Sequence, residues 1–249
     1  MRHAVAALVA LLVSSGVALS QPVVTVAVEN RDYAPYYTWE GDQLRGPCGD
    51  IVSAVFETMG YDVEYVPVPW TRVLRMVEEQ QVDAGLCATR TEERAAYAIF
   101  PDEALLSYDA TLFVLDGSPL DAAEPDILQG RSFAMVSGYS YAGVDLWLEE
   151  IGMIRQEAAS RESLVQILLA GRVDAVLDSR LPIFADAETL GVADRIRALE
   201  PTLSETPGYL MFSRRGGDDS LSSAFSDALA AFKQTAEFAE ISARYRMNH

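Results

Sequence analysis

Trp70-Thr71-Arg72-Val73-Leu74-Arg75-Met76-Val77-Glu78-Glu79-Gln80-Gln81-Val82-Asp83-Ala84-Gly85-Leu86-Cys87 is answered later in the chain by Ser163-Leu164-Val165-Gln166-Ile167-Leu168-Leu169-Ala170-Gly171-Arg172-Val173-Asp174-Ala175-Val176-Leu177-Asp178. With Asp83 set over Asp174, Val73 meets Leu164, Met76 meets Ile167, Val77 meets Leu168 and Leu86 meets Leu177. Each copy carries apolar residues at i, i+3 and i+4, the spacing of one buried helix face. Each then breaks and passes into a short Val-Asp-Ala strand. Two helix-then-strand units of one design, one in each half, predict two similar α/β lobes. Ligands of a parallel α/β sheet gather at the carboxyl ends of its strands, which here are Cys87 and Asp178.

Working outward, Val23 to Val28 is a β-branched run that reads as a buried strand. Asn30 to Gly49 reads as loop. A helix from Asp50 to Met59, with Asp50 as N-cap, and a strand from Tyr61 to Val66 lead to the first copy. This is β-α-β-α-β, the order of a parallel sheet. Thr91 to Ala98 predicts a short helix and Ala110 to Leu115 a strand. A second series opens at Ser132 to Val136. There Ser137-Gly138-Tyr139-Ser140 turns into a helix reaching Glu150, with free N–H groups at its start that suit a carboxylate. After Asp178 come a helix over Leu181 to Leu190, strands near Ile196 and Tyr209, and helices over 220–234 and 236–246.

Composition limits what such a chain does. The 249 residues are half hydrophobic, enough for a substantial core. Arg2 and His3 followed by the apolar run Ala4 to Val17 and then Ala18-Leu19-Ser20 read as a cleavable signal segment over 1–20. The expected compartment is therefore a bacterial periplasm. A net charge of −18 argues against a nucleic-acid partner, which needs a basic face. The histidines are His3 and His249, so the body of the chain lacks the commonest metal ligand and general base. No metal, no cofactor and no catalytic residue is expected. Cys48 and Cys87 form a candidate disulfide in an oxidising compartment, although spacing alone does not fix the geometry.

The landmarks, taken together, resemble one family. They are Asp32-Tyr33-Ala34-Pro35-Tyr36, Gly46, Pro69-Trp70, Val82-Asp83-Ala84, Thr91-Glu92-Glu93-Arg94, Phe100-Pro101-Asp102, Ser137-Gly138, and Gly171-Arg172-Val173-Asp174-Ala175 with Asp178. In this order they resemble the extracytoplasmic solute-binding proteins of ATP-driven polar amino-acid uptake, family 3. The resemblance implies a type II periplasmic-binding-protein fold. In it, lobe 1 would hold 21–107 plus 207–249 and lobe 2 would hold 108–206, joined by two crossover strands. It also implies a monomer that takes a small amino-acid-like solute and delivers it to an ABC permease in the inner membrane. By position, Arg94 corresponds to the arginine that holds the ligand's α-carboxylate, and a guanidinium fork suits that task. Asp178 corresponds to the carboxylate that receives the α-ammonium. Tyr33 and Trp70 match aromatic walls, and Cys87 and Thr89 a ligand-contacting segment. Gly138, Tyr139 and Ser140, with Tyr141 nearby, form the facing turn.

The chain departs from the family at Pro101-Asp102-Glu103 and at Pro47-Cys48-Gly49, and carries an extra charge at Arg90. Two other classes compete. The same fold hosts a few dehydratases, and an enzyme here would draw its acid or base from Glu29, Asp50, Glu103 or Asp178. A sensory module is usually fused to membrane and signalling segments.

Overall fold

The computed structural model describes residues 21–141, 143–214, 217 and 219–245. The expected signal segment and both histidines lie outside the described residues. The first half runs β1 (Val23–Glu29), a hairpin of β2 (Thr38–Glu40) and β3 (Gln43–Arg45), α1 (Pro47–Thr58), β4 (Asp62–Val68), α2 (Trp70–Glu78), β5 (Ala84–Thr89), α3 (Glu92–Tyr97) and β6 (Ala98–Ile99). A long strand, β7 (Leu106–Leu115), crosses to the second half. There follow α4 (Pro125–Leu128), β8 (Ser132–Val136), α5 (Val144–Glu150), β9 (Ile154–Ala158), α6 (Arg161–Leu169), β10 (Ala175–Asp178), α7 (Arg180–Thr189), a 3-10 turn (Ala193–Arg195) and β11 (Ile196–Ala198). Strand β12 (Ser204–Ser213) crosses back to α8 (Ser220–Phe232) and α9 (Ala236–Tyr245).

The strand order is β4-β1-β5-β12 on one side and β9-β8-β10-β7 on the other, the same sequence of roles twice. In each half the central strand lies parallel to both neighbours, and the crossing strand is antiparallel to the strand it borders. The two crossing strands pair with each other from Leu106↔Gly208 to Ala110↔Ser204. Beyond that point they part: Thr111 to Phe113 pair with β10, and Gly208 to Phe212 with β5.

Both central strands are covered on both faces, which explains their near-continuous apolar runs. Val24, Val26 and Val28 face the core under α1 and α8, while Ala27 faces α2. In β8, Phe133 and Met135 face one cluster and Ala134 and Val136 the other. The echo packs as its spacing predicts. Val73 and Val77 are fully buried, as are Leu164 and Leu168, and Met76 and Ile167 are both partly buried. Its aspartates also match. Asp83 accepts from the Thr25 N–H at 2.8 Å and the Thr25 hydroxyl at 2.7 Å. Asp174 does the same for Ser132, at 2.7 and 2.8 Å. Each Val-Asp-Ala strand is thereby clasped to the start of its central strand.

Three expectations need correction. The 30–49 segment is not all loop, since it holds the β2–β3 hairpin. Helix α1 starts earlier, at Pro47, whose missing N–H costs nothing in a first turn. Its N-cap is Gly46, at φ 112°, where a Cβ would stand 2.6 Å from the Tyr36 carbonyl oxygen. Asp50 is therefore inside the helix, where it accepts from the Tyr245 hydroxyl at 2.8 Å. The strands expected over 110–115 and from Tyr209 are longer, because mutual pairing of the crossing strands extends both.

Candidate functional site

Strand β5 is irregular where it reaches the cleft. Gly85 pairs with Met211 and Ala88 with Tyr209, so Leu86 and Cys87 share a single opposite residue. That is a β-bulge, with Cys87 in the left-handed region at φ 58°. The bulge turns Cys87 toward the start of α1, and a disulfide joins it to Cys48 with the Cα atoms 6.5 Å apart. Beyond Thr89, Thr91 caps α3 by accepting the Arg94 N–H at 3.1 Å.

The Arg94 side chain folds back under this strand end and is 5% exposed. One guanidinium nitrogen donates to the Thr89 carbonyl and hydroxyl oxygens, both at 2.8 Å. The other donates to the Gly138 carbonyl at 2.7 Å. Its face lies 5.5 Å from the centre of the Trp70 ring. Burial pulls its pKa below the ordinary value, against the upward pull of Tyr97, Glu93 and Asp145. Among the described residues no carboxylate is within ion-pairing distance, so Arg94 is a buried cation held by neutral acceptors.

The Ser137–Tyr141 turn comes from the other half of the sheet and sits in this site. Gly138 has φ 77°, in the left-handed region that favours glycine, and packs against Trp70, Leu74 and Thr71 of α2. Its carbonyl accepts from Arg94 and also from the Trp70 indole at 2.9 Å. The Ser140 carbonyl accepts from the Thr89 hydroxyl at 3.0 Å. The Tyr139 ring stands edge-on to Tyr33 and Trp70, with centroids 6.2 and 5.9 Å away. Its hydroxyl donates to Glu29 Oε2 at 2.6 Å. Burial, then Glu29, holds that hydroxyl well above its ordinary pKa, so it remains a donor. One expectation is corrected here: helix α5 begins only at Val144, with Gly143 at its N-cap, so the turn lies ahead of the helix, and it presents the Gly138 and Ser140 carbonyls to the first half.

Two cavities flank the Tyr139 ring. The inner one, about 40 Å³, is walled by Tyr33, Tyr37, Tyr108, Tyr139, Tyr141 and Trp70, with Glu29, Cys87, Thr89, Arg94, Ser140, Ser179 and Thr206. The outer one, about 350 Å³, is polar and is lined by Glu29, Asn30, Arg31, Asp32, Trp39, Tyr139, Ser160, Arg161, Glu162 and Asp186. Glu29 and Tyr139 belong to both. Glu29 is itself buried, which raises its pKa, while Tyr139, Arg161 and Arg31 pull the other way.

Asp178 ends β10 and is fully buried. It lines neither cavity. Its Oδ1 accepts the Ser179 N–H at 2.7 Å, and Oδ2 has no hydrogen-bond partner. The Tyr141 hydroxyl lies near enough to favour the carboxylate, yet outside hydrogen-bonding geometry. Burial pushes Asp178 up to about 7 against the opposing pull of Arg161. Arg161 is buried too. It stacks on Tyr33 at 4.4 Å and pairs with Asp186 at 2.9 Å. Burial opposes its charge, yet Asp178, Tyr139 and Asp186 hold it above the ordinary value. Asp178 does not cap α7 either, since the Asp109 carboxylate of β7 takes the Arg180 N–H.

Of the sequence-predicted residues, Arg94, Tyr33, Trp70, Cys87, Thr89, Tyr139 and Ser140 all meet at the inner cavity. Gly138 contributes its carbonyl, and Asp178 stands behind the wall. Sequence reasoning missed Tyr37, Tyr108, Ser179 and Thr206, gave Arg161 no role, and named Glu29 only as a catalytic candidate. Tyr37 follows the Tyr33-Ala34-Pro35-Tyr36 landmark directly, a signal that was available. Tyr108 and Thr206 come from the paired part of the crossing strands, and nothing local marks them. No group of three metal-binding side chains occurs among the described residues, and none of their helices is long and apolar enough to cross a membrane.

Two mirrored sheets, joined by two paired crossing strands, with a buried arginine where the halves meet, define a protein of the type II periplasmic-binding-protein fold. The chain belongs to the bacterial extracellular solute-binding proteins, family 3, whose model matches residues 24–248. Its extracytoplasmic members bind small molecules and work with ABC permeases. Comparison with curated proteins finds no match by sequence. Among solved structures, a histidine kinase sensor domain similar to periplasmic binding proteins is 20% identical, with a TM-score of 0.77 over 90% of this chain and 96% of that one. The arginine-, lysine-, histidine-binding protein ArtJ from Geobacillus stearothermophilus is 19% identical, with a TM-score of 0.74 over 89% and 94%. The ancestral amino-acid-binding protein AncCDT-1, a precursor of cyclohexadienyl dehydratase, is 18% identical, with a TM-score of 0.71 over 90% and 95%. At these identities the likeness is one of fold.

Proposed function

We propose that this protein captures an amino-acid-like solute between its two lobes and delivers it to an ABC permease from the periplasm. The lobes are taken as 21–107 plus 207–249 and 108–206, closing about the paired strands β7 and β12. Membership of the family supports the role. The observation that carries it is Arg94, a buried guanidinium whose fork is met only by neutral oxygens. A carboxylate is the natural partner for such a fork, and two parallel charged hydrogen bonds hold it in one orientation. Trp70 and Tyr33 supply aromatic walls, and a cation near them gains from the ring faces. Asp178 would reach a solute only if Tyr33 or Tyr141 moved aside. A solute ammonium brought beside it would favour its charged form and release a proton. Transport rather than turnover is the reading here, because the inner site gathers hydroxyl and aromatic groups around a single buried carboxylate, Glu29.

The test is a titration of the mature protein with a panel of amino acids and small organic acids, read by tryptophan fluorescence and melting temperature. Saturable binding of a solute recovered unchanged is the expected result. Consumption of the solute would instead favour an enzyme, and no binding across the panel would remove the amino-acid reading.

A further inference from the structure

One turn already occupies hydrogen-bonding groups that a solute would use, while Thr89 holds the other nitrogen of Arg94. The Gly138 carbonyl stands on Arg94 and the Trp70 indole. One residue later the Tyr139 hydroxyl stands on Glu29, with its ring between Tyr33 and Trp70. An acceptor on the buried cation, an aromatic body between the aromatic walls and a donor on the buried anion are the three parts of a solute. Space tells the same story. With the ring in place the inner cavity is about 40 Å³, room for only a few waters. The outer cavity, about 350 Å³, is lined by the same Tyr139, and solute sites run from about 300 Å³ upward. Tyr139 also touches all four apolar clusters of the molecule, so it ties the two halves together.

We propose that the Gly138–Ser140 turn is a built-in stand-in for the solute, and that Tyr139 decides which solutes bind. This rests on the solute-binding reading above. A solute binds by lifting the turn off Arg94 and Glu29, and the displaced ring merges the inner and outer cavities. The solutes that succeed carry a carboxylate for Arg94 and, at a distance beyond the α-carbon, a hydrogen-bond donor for Glu29. Smaller acids that reach only one of the two do not offset the lost contacts.

The test compares the wild type with Tyr139→Ala and Tyr139→Phe. Without any added solute, small-angle scattering and exchange of the Trp70 indole N–H are measured. Removing the ring alone leaves the Gly138 carbonyl free to hold that indole. A stand-in that has been unseated gives a larger radius of gyration and fast exchange in Tyr139→Ala, with Tyr139→Phe between it and the wild type. Unchanged values in both variants overturn the proposal. L-arginine, L-glutamine, L-glutamate and glycine are then titrated by calorimetry. A solute that binds the wild type should bind Tyr139→Ala at least about ten-fold more tightly, since the Tyr139–Glu29 hydrogen bond no longer competes. Weaker binding by Tyr139→Ala would make Tyr139 an ordinary wall and overturn the proposal. If neither protein binds any of the four, the amino-acid reading is what fails, and the solute-free measurement decides the stand-in by itself.

Discussion

Strands β5 and β10 are built alike and end differently. Each follows an amphipathic helix, lies parallel to a central strand, and is clasped to that strand by an aspartate at the same place in the echo. At its end β5 bulges at Cys87, takes a disulfide and leads on to a cation that faces the cavity. Strand β10 runs straight into Asp178 and buries its carboxyl group behind Tyr33 and Tyr141, with Arg161 pulling against the burial that raises its pKa. The shared part makes the scaffold. The unshared part makes the site, with the first half presenting charge and the second presenting carbonyls and a tyrosine.

The comparison breaks hardest at Arg94. Arg94→Ala should weaken binding of a carboxylate solute by about 2–5 kcal/mol, because the carboxylate is then buried without its partner. Calorimetry on any solute found by the panel checks this, and unchanged affinity would remove the first half's claim to the charged end.

Asp178 is the second half's counterpart and acts on stability. Its pKa is about 7 in the fold and about 3.9 in an unfolded chain. The folded state thus holds a proton that the unfolded state has lost between these values. Its contribution is fully present below about pH 4, falls as pH rises toward 7 and is gone above it, a span of about 4 kcal/mol. Glu29 is raised as well and acts with the same sign, so the informative quantity is a difference. Asp178→Asn should gain on the wild type in denaturant midpoint from pH 5 to pH 8. A constant difference across that range would mean that Asp178 keeps its charge in the fold.

The disulfide has no counterpart in the second half. It closes a separation of 39 residues, and the double change Cys48→Ser with Cys87→Ser should cost about 3–4 kcal/mol by chain entropy. Hydrogen exchange should place the loss of protection in α1 and β5 and leave α6 and β10 as they were.

How much of this was legible depended on whether a feature was periodic or long-range. The two halves could be read because helix and strand periods repeat within a few residues, so Val73, Val77, Leu164 and Leu168 announced their faces. The cavity could be read where landmarks cluster, at Tyr33, Trp70 and Arg94. What covers Asp178 could not be read, because exposure at a strand end depends on what other segments place over it, here Tyr33 and Tyr141. Arg161 was missed for the same reason. On α6 it reads as a surface residue of a first turn, and only the fold stacks it on Tyr33. The β2–β3 hairpin was read as loop because its three-residue strands are too short to show a period.

The finest test concerns what the halves share. Asp83 and Asp174 each serve one backbone N–H and one hydroxyl on the neighbouring strand, at 2.7–2.8 Å. Asp83→Ala and Asp174→Ala should therefore each cost about 1–2 kcal/mol, the loss of two hydrogen bonds at a partly exposed position. The Arg131 near Asp174 at 3.7 Å is an exposed pair worth little. Asp→Asn at either place should cost less, because the amide oxygen can still accept. Matching chemical-denaturation values would make the clasp a property of the repeated design. If Asp83→Ala proved far costlier than Asp174→Ala, the first clasp would be holding more than its own strand. The nearest structure for that load is the Cys87 bulge, on the same strand and joined to the cavity.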